Sequence, residues 1–93
     1  MKTIKFSPTG QAISDYKISE FVDKIFESPK TRFNISTHLV IDEIRARVKE
    51  GKINLDDITI LIEDREKVLD INGRSWNWYP PEEVWDNILT RLI

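Results

Sequence analysis

Residues 58–71 read Ile-Thr-Ile-Leu-Ile-Glu-Asp-Arg-Glu-Lys-Val-Leu-Asp-Ile, the most apolar and β-branched stretch of the chain. A charged turn, Asp64-Arg65-Glu66-Lys67, divides it, which predicts two short strands joined tightly. A two-stranded hairpin is marginal alone in water, so the rest of the chain must cover it. Ile58, Ile60 and Ile62 share one face and Thr59 and Leu61 the other. Apolar residues on both faces predict a central strand, paired with a second strand over Val68 to Ile71 that ends at the Asn72-Gly73 turn.

Three amphipathic segments supply the cover. Ile18, Phe21, Val22, Ile25 and Phe26 recur at helical spacing, with Ser14 or Asp15 as the cap and Ser28-Pro29 as the stop. Val40, Ile41, Ile44 and Val48 form the face of a second helix capped by Ser36 or Thr37, and Gly51 is placed as its left-handed C′ residue. Arg45, Arg47 and Lys49 fall near that helix's C-terminus, where the macrodipole favours cations. Val84, Trp85, Ile88, Leu89 and Leu92 make the face of a third helix. Pro81 opens it, and Glu82 and Glu83 fill its first turn.

Two further strands alternate with these helices. Lys2 to Phe6 turns Ile4 and Phe6 one way, before the Ser7-Pro8-Thr9-Gly10 punctuation, and suits a sheet edge. Arg32 to Ser36 does the same with Phe33 and Ile35. The order is β-α-β-α-β-β-α. It predicts a single α+β (α/β-like) domain over residues 1–93: a small mixed sheet of about four strands, three helices, and right-handed parallel crossovers.

Composition narrows the function classes. Apolar residues make up 40% of the chain, enough for a core despite 32% charged residues. The formal charge is −2 with both signs interspersed, which disfavours direct nucleic-acid binding. Cysteine is absent, removing thiolate chemistry and most structural zinc sites. No apolar run is long enough to span a membrane, and Met1 to Phe6 lacks a signal-peptide pattern, so a cytoplasmic protein is expected.

Few residues point to chemistry. His38 is the only histidine, at a strand-to-helix turn, and Asp42 one helical turn on is the carboxylate that would orient it as a base. Acids at Asp56-Asp57, Glu63-Asp64, Glu66 and Asp70 read as a solvated turn, because Arg65 and Lys67 interrupt them. The three glycines Gly10, Gly51 and Gly73 belong to no phosphate-cradling loop. No metal or cofactor is expected.

The aromatic group is the marked anomaly. In an extended Ser75 to Pro81, Trp76 and Trp78 point one way and Tyr79 the other, so one set packs inward and the other is exposed. Exposed Trp and Tyr serve as interface anchors, here rimmed by Asn77 and Arg74.

From Phe33 onward the motifs also carry a family likeness. Ile35-Ser36-Thr37-His38 enters a helix ending Lys49-Glu50-Gly51-Lys52-Ile53; Asp56-Asp57-Ile58 opens a strand; Asp70-Ile71-Asn72-Gly73-Arg74 turns; and Trp78-Tyr79-Pro80 precedes the last helix. Residues 33–93 thus resemble the C-terminal tail of AAA/ABC-like ATPases of bacterial genome-defence systems. The resemblance implies a shared small α/β unit or a detached fragment of one. In such ATPases the histidine matched by His38 lies near the nucleotide's terminal phosphate, but this chain has no phosphate-binding loop beside it.

The expected function is that of a small non-enzymatic interaction protein, of the accessory, inhibitor or immunity type, such as a phage or mobile element encodes. Trp76, Trp78, Tyr79 and Arg74 are its expected contact residues, and its partner is another protein or a second copy. The alternative is a small enzyme or nucleotide-responsive domain using His38 with nearby carboxylates. Because Trp85 lies on the apolar face of the last helix, Trp85→Ala should cost about 3–5 kcal/mol in a denaturant melt. A loss under about 1 kcal/mol would place that face or helix wrongly.

Overall fold

The computed structural model describes residues 1–62, 65–67, 87–88 and 90–92. Alternating apolar residues build its sheet. The strands are β1 (Lys2–Gln11), β2 (Arg32–Ile35), β3 (Ile58–Ile62) and β4 (Arg65–Lys67), and they lie in the order β2-β1-β3-β4. β1 pairs in parallel with both β2 and β3, while β4 runs antiparallel to β3. The helices are α1 (Ile18–Glu27) and α2 (His38–Lys49), and residues 87–88 and 90–92 are also helical. The α+β class is as expected.

Several expectations are corrected. The pattern of β1 suits an edge, yet the strand lies between β2 and β3, with Ile4 flanked in register by Phe33 and Ile60. Ser7-Pro8-Thr9-Gly10 does not end it. Phe6 and Gln11 both align with Ile35, so these four residues arch out of register and the strand resumes beyond them. Gly10 is required there: a Cβ would stand 2.4 Å from the carbonyl carbon of Ile35. Residues 65–67, expected as part of the turn, form β4, with Ile62 aligned to Arg65 and Ile60 to Lys67. Residues 68–71 and the helix start near Pro81 lie outside the described residues, as does Trp85.

The caps differ too. A 3-10 turn, Asp15–Lys17, precedes α1, and neither Ser14 nor Lys17 caps with its side chain. Thr37 does stand at the N-cap of α2, but its hydroxyl bonds the backbone N–H and C=O of Ile13, at 3.0 and 3.4 Å. That ties the loop before α1 to the start of α2. The end of α2 follows expectation. Gly51 has φ 76°, its N–H reaches the Val48 carbonyl, and the Lys52 N–H reaches that of Arg47. The carbonyls left open by the last turn are thereby satisfied.

Register assigns the two faces of the sheet. Ile4, Phe6, Phe33, Ile35, Ile58, Ile60 and Ile62 share one face and all belong to the core or pack against it. Thr3, Lys5, Arg32, Asn34, Thr59 and Leu61 take the other. Ile18, Val22 and Ile25 of α1 and Leu39, Val40, Ile41 and Ile44 of α2 join the same core, as do Ile88 and Leu92. The helices therefore form one layer against one face.

This one-sidedness has a topological consequence. From β1 the chain crosses α1 to β2, then returns through α2 past β1 to reach β3. Two right-handed crossovers in opposite directions would place α1 and α2 on opposite faces. Both lie on one face, so one crossover is left-handed, against the usual strong preference. The opposite face offers Thr3, Lys5, Asn34 and Thr59, with Leu61 its one apolar side chain among these strands' described residues, and no described helix packs there.

The arch in β1 supplies a test. Gly10→Ala forces a methyl group against the Ile35 backbone, and overpacking of this kind costs about 1–3 kcal/mol. A urea melt of the variant should show that loss. A change below about 0.5 kcal/mol, ordinary for surface substitutions, would mean the arch does not close on β2.

Candidate functional site

The candidate chemistry begins on α2, the most enclosed element. Eight consecutive residues, Leu39 to Ala46, are buried, charged ones included. Sequence periodicity predicted a one-sided apolar face; instead the helix is covered all round. His38, Asp42, Arg45 and Lys49 recur at i, i+4, i+7 and i+11, one stripe of the helix. Glu43 and Arg47 fall on the opposite side.

Within the stripe, Asp42 and Arg45 are 0% and 1% exposed, and Arg45 Nη1 donates to Asp42 Oδ1 at 2.7 Å. A buried pair of this kind holds only while both partners remain, because either charge alone is very costly inside. Arg45 is thus no solvated dipole cation, as its position near the helix end suggested. The His38 ring is half-buried and stacks on Phe6, with centroids 4.1 Å apart and planes at 25°. Burial pushes the imidazole below its ordinary 6.5. Asp42, the carboxylate expected to orient this histidine, is bonded to Arg45.

On the other side of α2, charges join the helices. Arg47 donates to Glu43 at 3.1 Å, to Asp23 at 2.6 Å, and to the Ser19 carbonyl and hydroxyl at 2.9 and 3.0 Å. Arg91 grips both Glu43 oxygens at 2.7 Å and Glu50 Oε1 at 2.6 Å. Lys49 donates to the Leu92 carbonyl. Glu43, 3% exposed, is therefore held from both sides. The sequence pointed to Arg47 and Lys49 but not to Arg91 or to this network, although Glu43 and Arg47 stand at i, i+4, the spacing of a helical ion pair. The Arg91 contacts hold Glu50 below its ordinary 4.5, and the two glutamates push Arg91 upward.

The third feature is the border of the sheet at β2. The Thr3 N–H donates to the Thr31 carbonyl at 2.8 Å, so Thr31, Phe33 and Ile35 turn their backbone groups toward β1. Arg32 and Asn34 alternate with them and turn their N–H and C=O outward. Their side chains are exposed. Cations crowd this border: Lys2 and Lys30 stand 5.9 and 5.3 Å from the Phe33 ring centre, and Lys2 Nζ also donates to the Ser28 and Lys30 carbonyls.

The expected contact residues Trp76, Trp78, Tyr79 and Arg74 lie outside the described residues, as do Glu63, Asp64 and Asp70. Asp56 and Asp57 are exposed in a 3-10 turn whose cap, Asn54 Oδ1, accepts from the Asp56 N–H at 3.0 Å. Among the described residues no three His, Asp or Glu side chains are grouped to hold a metal ion. No helix among them is long and apolar enough to cross a membrane. No protein-family model, curated protein or solved structure matches this chain.

The titrating groups make a pH prediction. His38 has a lowered folded value, so the unfolded chain binds its proton first, and stability should fall as pH drops below about 6.5. Glu50 has a lowered folded value as well, so its contribution is present above 4.5 and lost as pH falls further. Urea melts across pH should therefore show a decline beginning below about pH 6.5 that His38→Gln removes, and a further acid decline that Glu50→Gln makes shallower. Arg91→Ala should cost about 1.5–3 kcal/mol at neutral pH, the range for hydrogen bonds to charged groups. An unchanged acid limb in Glu50→Gln would show that the Arg91 contact does not form in solution.

Proposed function

We propose that this chain is a small protein-binding module of the accessory, inhibitor or immunity type, acting by association with another protein rather than by catalysis. The observation that carries this reading is the β2 border. Arg32 and Asn34 present exposed side chains together with outward backbone donors and acceptors at strand spacing. A sheet edge of this kind is a template for pairing. The internal commitment of the charges on α2 supports the same reading. Asp42, Glu43, Arg45 and Arg47 stabilise the helix layer, so the reactive-looking residues of the sequence have a folding role. The aromatic run, with the rigid Pro80-Pro81 behind it, is the second expected contact, because rigid aromatics lose little entropy on binding.

Replacing Trp76, Trp78 and Tyr79 by Ala one at a time tests the reading. At least one variant should keep folding stability within about 0.5 kcal/mol while weakening partner or self-association by about 2 kcal/mol or more. Association would be read by native-host pull-down with cross-linking for a partner, and by light scattering for self-association. If every variant unfolds and none changes association, the aromatic surface is not an interface. The rival, a nucleotide-responsive domain using His38, predicts a thermal shift of several degrees with millimolar Mg-ATP that His38→Ala abolishes. The binding reading predicts no such shift.

A further inference from the structure

We propose that the border of β2 that no described strand pairs takes an extended acidic segment of a partner protein as an added strand. The proposal rests on the protein-binding reading and specifies the chemistry of what binds. Among the described strands β2 is one of the two outer ones, and Arg32 and Asn34 each turn one N–H and one C=O outward. An extended chain answers such alternating donors and acceptors with main-chain hydrogen bonds, while its alternate side chains set specificity.

Charge selects the occupant. β2 reads Arg-Phe-Asn-Ile and carries no carboxylate. On the face of Arg32 and Asn34, an added strand would set a side chain beside the exposed guanidinium. On the opposite face it would lie against Phe33, half-buried and flanked by Lys2 and Lys30. Acids on the first face and apolar residues on the second match this border.

A second copy fits poorly. Pairing β2 with β2 would bring two sets of Lys2, Lys30 and Arg32 together with no acid on either strand, and like charges across a pair are unfavourable. A nucleic acid also matches only in part. Its phosphates accept hydrogen bonds but offer no donor for the Arg32 and Asn34 carbonyls.

The probe is a labelled peptide of roughly eight residues alternating Glu and Val, titrated into the whole chain and followed by amide chemical shifts and fluorescence anisotropy. Shifts should centre on Arg32 and Asn34 and on their β1 neighbours, and binding should weaken with salt. Arg32→Glu should weaken binding roughly tenfold or more, as should exchanging the peptide's Glu for Lys. Asn34→Pro should abolish binding while keeping the fold, because it removes an outward N–H that β1 does not use. Melting curves would confirm folding, and Arg32→Glu alone keeps the test valid if the proline variant unfolds.

Shifts away from β2, or affinity unchanged in Arg32→Glu, would overturn the proposal. So would an equal affinity for a single-stranded oligonucleotide, which would make the border a general polyanion surface. Loss of the β2 effect with retained loss of association in the aromatic variants would leave the protein-binding reading standing and remove only this site. Failure of both would remove both.

Discussion

Glu43 is the point on which the helix layer depends. It is a carboxylate buried in the middle of α2, between an arginine of its own helix and one from the C-terminal helical residues. Desolvating a carboxylate is costly unless charge-assisted hydrogen bonds replace the water. Here Arg47 and Arg91 do so, and each arginine then reaches further, to Asp23 and Ser19 on α1 and to Glu50 at the end of α2. One enclosed acid thus sets the spacing of three helical segments. The apolar contacts of Val22, Ile44, Ile88 and Leu92 supply the hydrophobic stabilisation beneath it.

The enclosure of α2 follows from the one-sided sheet. Strands that alternate Ile and Phe mainly with Thr, Lys and Asn bury one face in the core, and every described helix packs on it. α2 lies in the middle of that layer and is covered by the sheet and by its neighbours. Its polar stripe of His38, Asp42 and Arg45 is therefore drawn inside, where pairing rather than solvation must satisfy it. The left-handed crossover is the topological counterpart of the same constraint. Asp42 and Arg45 of that stripe are thereby part of the packing.

Much of this was legible in the sequence, for identifiable reasons. Period-two alternation located Ile4 and Phe6, Phe33 and Ile35, and Ile58 to Ile62, and helical spacing located Ile18 to Phe26. Gly51 was legible as a left-handed C′ residue because little else tolerates that backbone. Where reading failed, tertiary context had overridden a local signal. Ser7-Pro8-Thr9-Gly10 looks like a strand end but is an arch, since the strand resumes after it against Ile35. Arg65 to Lys67 looks like a turn but pairs with β3. Arg45 looks like a solvated cation, yet it is buried because its partner Asp42 lies three residues away on the same helix. The border at β2 was half legible: the alternation of Arg32 and Asn34 was visible, but strand order was not. Trp76, Trp78 and Tyr79 lie outside the described residues.

Native-state amide hydrogen exchange tests the central claim most directly, because protection reports the free energy of the opening that exposes each backbone N–H. If α2 is the enclosed centre of the helix layer, the amides of Ile41 to Ala46 should be the slowest of the described residues and exchange only with global unfolding. The α1 amides near its exposed Glu20, Asp23 and Lys24 should exchange earlier through local openings. Protection in α2 lower than in α1, with exchange at Glu43 and Ile44 well below the global unfolding free energy, would contradict the account.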